Sequence, residues 1–332
     1  MTVAKQTGRG VPAAAVTTGL RVTSTDVGAI TSNIDADPEI GGNRDRNTAG
    51  VALGAFHAGG NLEGYVRYDA LGYLLLAAGF VQSGAPTEIE AGTGAYAHTF
   101  TPGVATPLTL ETSWGRNRAV RRFVDTFVNS LEFSVAGDDF ARFSAEVLAL
   151  SETYVDTPSV PVWASPDPMG TYLGSAAELS ALGTYRLGEM TWSLANNMSD
   201  DETVIGSRFL ADTTPGRREV GFSGTIKPST TATEVTALYR AGAYGAPDAT
   251  VPLETEPYHT ATTMTFGSGR KIGTATDTRY GVEVTMPDTV LNAFALEGSG
   301  ADPIEAQVEG IAYAGAAPVA TIVLRNARAT AY

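Results

Sequence analysis

Short segments in which apolar and polar residues alternate recur from one end of this chain to the other. In residues 129–135, NSLEFSV, the side chains of Leu131, Phe133 and Val135 fall on one face. The same pattern recurs in residues 142–150, 187–194, 219–226, 280–286, 306–313 and 319–324. A period of two is typical of a strand with one buried face. The sequence therefore predicts a mainly β fold.

Two segments show helical periodicity instead. Residues 68–80 place Leu71, Leu74 and Leu75 on one face, and residues 233–243 form a more amphipathic counterpart. The first segment is the most apolar stretch of the chain. A membrane-spanning helix needs roughly 20 apolar residues, about twice what this stretch offers. We therefore expect a short structural helix here and no membrane span.

The two predicted helices lie in matching sequence contexts. Residues 127–149 align with residues 290–312 without a gap, at an offset of 163. Offsets near 160 also relate Gly64 to Gly224 and His98 to His259. Self-similarity at a fixed spacing over the whole chain indicates an internal repeat.

The repeat predicts two tandem copies of one β-sandwich or barrel unit, each flanked by one α-helix. The first unit, with an N-terminal arm, covers residues 1–155, and the second covers residues 187–332. Between them, residues 156–186 form a predicted proline-rich linker, because the prolines at its start disfavour a central strand.

Charge and composition exclude several classes of function. The formal net charge is −14, which disfavours stable binding to phosphate backbones and to anionic membranes. The chain has no cysteine, and its three histidines, His57, His98 and His259, are not spaced as a metal site requires. We expect no catalytic residue, cofactor or metal. A weak Ca²⁺ contact in the acidic turns at 35–39, 138–140 and 199–202 stays an alternative.

The clustered arginines are candidates for contacts between subunits, since guanidinium groups suit bidentate ion pairs with carboxylates. Such pairs could equally form within the chain, and a nucleic-acid patch is the competing interpretation. The apolar first helix adds Leu75, which we expect to be buried against a neighbouring chain. The candidate contact residues are Arg44, Arg46, Arg116, Arg118, Arg121, Arg122, Arg217, Arg218 and Leu75.

Four segments, taken in order, resemble the tail tube (major tail) proteins of long-tailed, siphovirus-like bacteriophages. They are AKQTGRGVPAAAV (4–16), GGNLEGYVRYDALGYLLLAAGF (59–80), GAYAHTFTP (94–102) and FVNSLEFSV (127–135). The resemblance implies a structural, non-enzymatic virion protein that forms stacked rings around a bore for DNA. With two units per chain, the rings would be trimers with pseudo-sixfold symmetry; with one unit, hexamers.

The resemblance also implies the partners and the location. The partners would be further copies of the chain and other tail proteins, such as tape measure, terminator and baseplate or tip proteins. DNA would pass only transiently, no membrane would take part, and the protein would occupy the host cytoplasm before assembly and the virion tail after it. The alternatives are a carbohydrate-binding or adhesive β-sandwich and a capsid decoration protein.

Three segments are predicted to dock on the next ring. Residues 35–55 and 200–218 are long loops that precede matching strands in the two copies, and residues 1–20 form the N-terminal arm. Loops that order on contact are a common way to control assembly.

Overall fold

The computed structural model describes residues 1–35, 51–113, 120–179, 183–184, 187–226, 232–248, 250–251, 253–292, 296–297 and 305–332. Within these residues the chain is mainly β, as the sequence predicts. The first ten strands are β1 (Thr2–Lys5), β2 (Thr18–Gly19), β3 (Ser24–Thr25), β4 (Gly28–Asp35), β5 (Val51–Tyr65), β6 (Phe80–Gln82), β7 (Thr87–Glu90), β8 (Ala95–Pro102), β9 (Leu108–Ser113) and β10 (Val120–Ala136). The next ten are β11 (Arg142–Val155), β12 (Ala176–Leu179), β13 (Gly183–Thr184), β14 (Leu187–Ala195), β15 (Glu219–Ile226), β16 (His259–Lys271), β17 (Arg279–Leu291), β18 (Leu296–Glu297), β19 (Glu305–Ala312) and β20 (Thr321–Asn326).

Two α-helices lie where the sequence predicts them. Helix α1 spans Leu71–Ala77 and helix α2 spans Ala232–Tyr244. All seven residues of α1 are buried. The helix ends before Gly79, whose φ of 80° is the left-handed conformation that commonly terminates helices. None of the helices in the described residues has the length and apolar character that a membrane crossing requires.

The two copies of the unit share one strand order. In the first copy β4 pairs with β5, β5 with β11, β11 with β10, and β10 with β9, all antiparallel. In the second copy the order is β14, β15, β19, β17 and β16, again antiparallel. A duplicated strand order is what the sequence repeat predicts.

The residue register is also repeated. Residues 126–128 of β10 lie opposite 147–149 of β11, and 163 positions later residues 289–291 lie opposite 310–312. The pairing of β10 with β11 shifts by one residue after Val128. In the second copy, the pairing of β17 with β19 and the pairing of β18 with β19 differ by the same one-residue shift. Strand β18 is therefore the continuation of β17, as the second half of β10 continues the first.

The outer strands of each copy match as well. Strands β3 and β4 lie along residues 57–63 of β5. Residues 189–195 of β14 lie along residues 219–225 of β15 in the equivalent register. The offset is thus 165 positions for the outer strand and 162 for its partner. The two offsets differ because the connection between the outer strand and its partner is longer in the first copy than in the second, whereas the register of the two strands is the same.

Two equivalences inferred from the sequence are wrong. Gly64 lies opposite Phe143, and the matching position in the second copy is Ile226 rather than Gly224. In addition, β16 pairs with β17 as β9 pairs with β10 in the first copy, so β16 is the counterpart of β9. His259 begins β16, whereas His98 lies in β8. His98 and His259 are therefore not repeat equivalents.

The copies are joined by strand pairing as well as by the chain. Residues 130–136 of β10 lie opposite residues 189–195 of β14, and β8 pairs with β20. Strands β12 and β13 fall inside the predicted linker 156–186, and β12 pairs with β16. The boundaries proposed for the two units and the linker stay a prediction.

A single hydrophobic core extends through both copies. At the junction of β10 and β14 the fully buried rings of Phe133 and Trp192 stack with centroids 5.2 Å apart. Phe80, directly after α1, packs on the same indole at 6.5 Å. The helix therefore covers the apolar side of the sheet where the two copies meet.

Candidate assembly surfaces

One face of the sheet formed by β5, β11, β10, β14, β15 and β19 is exposed and acidic. Residues directly opposite each other in an antiparallel pair share a face. The register places Glu63, Ser144, Glu132 and Ser193 in one such row. The exposed charged side chains of this face are Glu63, Glu132, Glu146, Glu189, Glu219, Glu309 and Arg142. We call it the acidic face.

The acidic face spans both copies without interruption, because β10 pairs with β14. Arg142 is its basic side chain, and that side chain contacts Asp139 at 3.3 Å. A surface of this sign repels a nucleic-acid backbone, because binding to phosphates depends on cationic side chains that release counterions.

The distal hairpin of β4 and β5 exposes apolar side chains. We define the hairpin surface as Ile30 and Ile34 on one face of the hairpin and Val51 and Leu53 on the other; Ile34 is 61% and Leu53 64% exposed. Clusters of exposed large apolar residues are typical of surfaces that contact another protein. Residues 36–50, between β4 and β5 in the sequence, lie outside the described residues.

The loop of residues 196–218 packs against this hairpin. The backbone N–H of Phe56 donates to the carbonyl of Arg208 at 2.7 Å, and the Arg208 Nε donates to the carbonyl of Gly54 at 3.1 Å. The rings of Phe56 and Phe209 meet edge to face at 5.3 Å. The same loop exposes Ile205 fully. Residues 51–55 of the first predicted docking loop therefore belong to β5, and the second predicted docking loop, 200–218, packs against this strand.

The N-terminal arm is divided between the core and the surface. Strand β1 pairs with β9 and with β2, and both Val3 and Val16 are fully buried. Between them, Arg9 forms an ion pair with Asp212 of the 196–218 loop. Only the middle of the arm is therefore available for docking on another ring, and its docking role stays a prediction.

Two of the candidate arginines form ion pairs within the chain. The Arg121 Nη2 donates to Glu152 at 2.8 Å, and this pairing raises the pKa of Arg121. The Arg122 Nη2 donates to the buried carboxylate of Glu111 at 3.0 Å. Both arginines therefore pair with carboxylates of their own chain, which was the alternative to a contact between subunits. A contact of either residue with a neighbouring subunit stays a prediction.

The remaining candidates lie in different settings. Leu75 is fully buried in the chain's own core, so its side chain does not reach the surface in this structure. Its assignment to an intersubunit contact stays a prediction. Arg44, Arg46, Arg116 and Arg118 lie outside the described residues.

Arg218 connects the second copy to the helix of the first. Its Nε donates to the Asn196 side chain at 3.1 Å and its Nη2 to the Gly79 carbonyl at 3.0 Å. The guanidinium lies 5.4 Å from the centroid of the Phe80 ring. Burial lowers the pKa of Arg218. No periodic pattern in the sequence predicts these contacts of Arg218, because its partners are distant in sequence.

Replacing Arg218 with Ala should therefore destabilise the chain. Hydrogen bonds to charged groups contribute about 1.5–3 kcal/mol each, so we expect a loss of about 2 kcal/mol of unfolding free energy. Urea denaturation followed by fluorescence measures the loss. The matched control is Arg217→Ala, since that side chain is exposed and should change stability by less than about 0.5 kcal/mol. Equal effects of the two substitutions would contradict this role.

The two tryptophans in the described residues, Trp163 and Trp192, do not form a flat platform of the kind an adhesive β-sandwich needs. Trp192 is fully buried, and Trp163 is covered by the guanidinium of Arg21, whose Cζ lies 4.4 Å from the ring centroid. Trp114 lies outside the described residues. Within the described part of the chain, no group of three or more His, Asp or Glu side chains is arranged to hold a metal ion.

Comparison with known protein families yields a match that extends over both copies of the unit. The family described as phage tail tube protein matches residues 1–312. No curated protein matches the chain.

Proposed function

The chain belongs to the phage tail tube protein family, whose role is structural, and on this premise we propose that three copies form one ring of the tube. Each chain would supply two of six equivalent units. The observation that supports this proposal is the repeated strand register: two copies of the same five-strand order follow each other in one chain.

The acidic face would line the bore. Its glutamates recur on strands of both copies, so closure of the sheet would give a ring of negative charge. Such a wall favours passage of DNA over binding, because like charges repel and the described side chains of the acidic face form no cationic cluster that would neutralise the phosphates. The core and α1 lie on the opposite side of the sheet, which would face away from the bore.

The hairpin surface and the 196–218 loop would contact the next ring. Both expose apolar side chains, and they lie together at one end of the strands. Burying this surface between rings would remove Ile34, Leu53 and Ile205 from water. The exposed middle of the N-terminal arm, held to the loop by Arg9, would extend the same contact.

As a component of the virion tail, the protein would assemble with further copies of itself and with other tail proteins. Tape measure, terminator and baseplate or tip proteins are the proposed partners, and the chain would be in the host cytoplasm before assembly. Formation of tubes by the purified protein separates this function from that of an adhesive protein or a capsid decoration protein.

The number of chains in a ring tests the proposal directly. We expect cryo-electron microscopy of assembled tubes to show three copies of the 34.5-kDa chain per ring. The map should show threefold symmetry, with six similar units around the bore. Six chains per ring, each placing one unit at the bore, would contradict the three-chain arrangement.

A further inference from the structure

We propose that a Ca²⁺ ion binds in a cavity between the predicted linker and both copies of the unit, held by the carboxylates of Asp69 and Asp167. The cavity has a volume of about 220 Å³. One water molecule needs roughly 10–15 Å³ of such space, so the cavity has room for an ion together with its bound water. The proposal does not depend on ring formation, and either can fail without the other.

Three parts of the chain that are distant in sequence line this cavity. Asp69 lies just before α1 in the first copy, and residues 164–167 belong to the predicted linker. Tyr280 of β17 and residues 326–328 at the end of β20 come from the second copy. Residues 165 and 166 are exposed, which gives an ion a path from solvent. A bound ion would therefore tie the linker to both copies.

Both carboxylates have oxygen atoms that other side chains leave available. Among the described residues, the Asp69 side chain forms neither a hydrogen bond nor an ion pair. The Asp167 carboxylate is bound by Arg67 Nη1 at 3.2 Å and by Arg21 Nε at 3.4 Å, and both contacts are to the same oxygen, Oδ2. The second oxygen of Asp167 is thus left for a further ligand.

Tyr280 provides an independent indication that the cavity holds a ligand. Its side chain is only 3% exposed, and its buried hydroxyl has no hydrogen-bond partner among the described residues. Burial raises the pKa of this hydroxyl, Arg270 lowers it, and the charges of the two aspartates raise it again. The hydroxyl therefore lies in the field of both carboxylates. Because buried hydroxyl groups nearly always have a partner, a water molecule bound to the ion would accept its hydrogen bond.

The charges around the cavity favour a cation. Burial raises the pKa of Asp69, and Arg328 offsets this only in part. Arg328 is itself engaged elsewhere, since its Nε donates to the Thr330 carbonyl at 3.2 Å and its Nη2 to the Tyr73 hydroxyl at 3.0 Å. A cation beside the two carboxylates would stabilise their charged forms, which burial disfavours.

The chemistry of the lining selects calcium. Carboxylate and hydroxyl oxygens are the ligands of hard divalent cations. Ca²⁺ accepts about six to eight oxygen ligands in irregular arrangements, including water, whereas Mg²⁺ requires a nearly ideal octahedron. Carboxylates that come from separate segments, with hydroxyl groups and water completing the shell, fit the less demanding ion.

Thermal unfolding of the purified chain tests the site. A site with a dissociation constant near 10⁻⁴ M is saturated at about 10 mM CaCl₂, and we expect a rise in Tm of about 3 °C or more. Asp69→Asn keeps the shape of the side chain and removes its charge, so it should abolish the rise. Asp138→Asn is the matched control, because it neutralises an exposed aspartate in an acidic turn and should keep the full rise.

Terbium luminescence gives a second measurement that does not depend on stability. Tb³⁺ occupies calcium sites, and its emission on excitation of tyrosine requires an aromatic ring nearby. The rings of Tyr280 and Tyr68 lie with centroids 6.0 Å apart beside the site. We expect emission that saturates at one ion per chain, that CaCl₂ displaces, and that falls at least tenfold in Asp69→Asn. Tyr280→Phe removes only the unpartnered hydroxyl and should weaken calcium binding at least threefold in a folded chain.

Each other outcome would overturn the proposal. A rise in Tm that MgCl₂ or sodium chloride of equal ionic strength matches would reflect screening of the net charge of −14. Absence of sensitised terbium emission would show that the cavity holds water only. Equal calcium binding by wild type, Asp69→Asn and Tyr280→Phe would place the ion elsewhere. The number of chains per ring is measured separately and is unaffected by these results.

Discussion

Replacing Leu75 with Asp is expected to prevent the chain from folding. Leu75 of α1 is fully buried in a core that joins both copies. Loss of a buried leucine side chain costs about 2–5 kcal/mol. An unpaired carboxylate in the same position adds several kcal/mol, so the sum approaches the roughly 5–15 kcal/mol that stabilises a typical domain.

Circular dichroism and thermal unfolding of the purified variant provide the measurement, and we expect either insoluble protein or no cooperative transition. Leu75→Met is the matched control, because a volume-conserving apolar change costs less than about 1.5 kcal/mol. Leu173→Asp introduces the same charge at a site that is 82% exposed, and it should leave the transition in place. A Leu75→Asp protein that unfolds cooperatively at the wild-type temperature would show that this position tolerates charge.

The strands and the duplication could be predicted from sequence because both depend on local patterns. Alternation fixes which face of a strand is buried, and the repeat of residues 127–149 at 290–312 fixes the equivalent strands. The register between strands is a different matter. A shift of two residues preserves the buried face, so Gly64 and Gly224 looked equivalent although the strand pairing relates Gly64 to Ile226.

The side-chain partners could not be predicted, since they are set by contacts between distant segments. The sequence marked Arg121 and Arg122 as members of a basic cluster, but it could not choose between Glu152, Glu111 and a neighbouring chain as their partners. The contact of the 196–218 loop with the β4–β5 hairpin depends on the junction of β10 with β14. Similarly, an apolar helix surface indicates burial without saying which chain covers Leu75.

Introducing a charge on the hairpin surface is expected to abolish tubes while leaving the monomer folded. Ile34 and Leu53 are each more than 60% exposed, so Asp at either position removes no core contact. Between stacked rings, however, the substituted carboxylate would lose water without gaining a partner. Burial of one such apolar side chain contributes about 1.5–3 kcal/mol, and every chain of the ring would lose it.

Negative-stain microscopy and sedimentation give the extent of assembly, and thermal unfolding gives the stability of the monomer. We expect Ile34→Asp and Leu53→Asp to raise the concentration needed for tube formation at least tenfold, with unfolding unchanged. Val104→Asp, at an 84% exposed apolar side chain outside the hairpin surface, is the control that should assemble normally. Tubes of normal length from both hairpin variants would place the contact between rings elsewhere on the molecule.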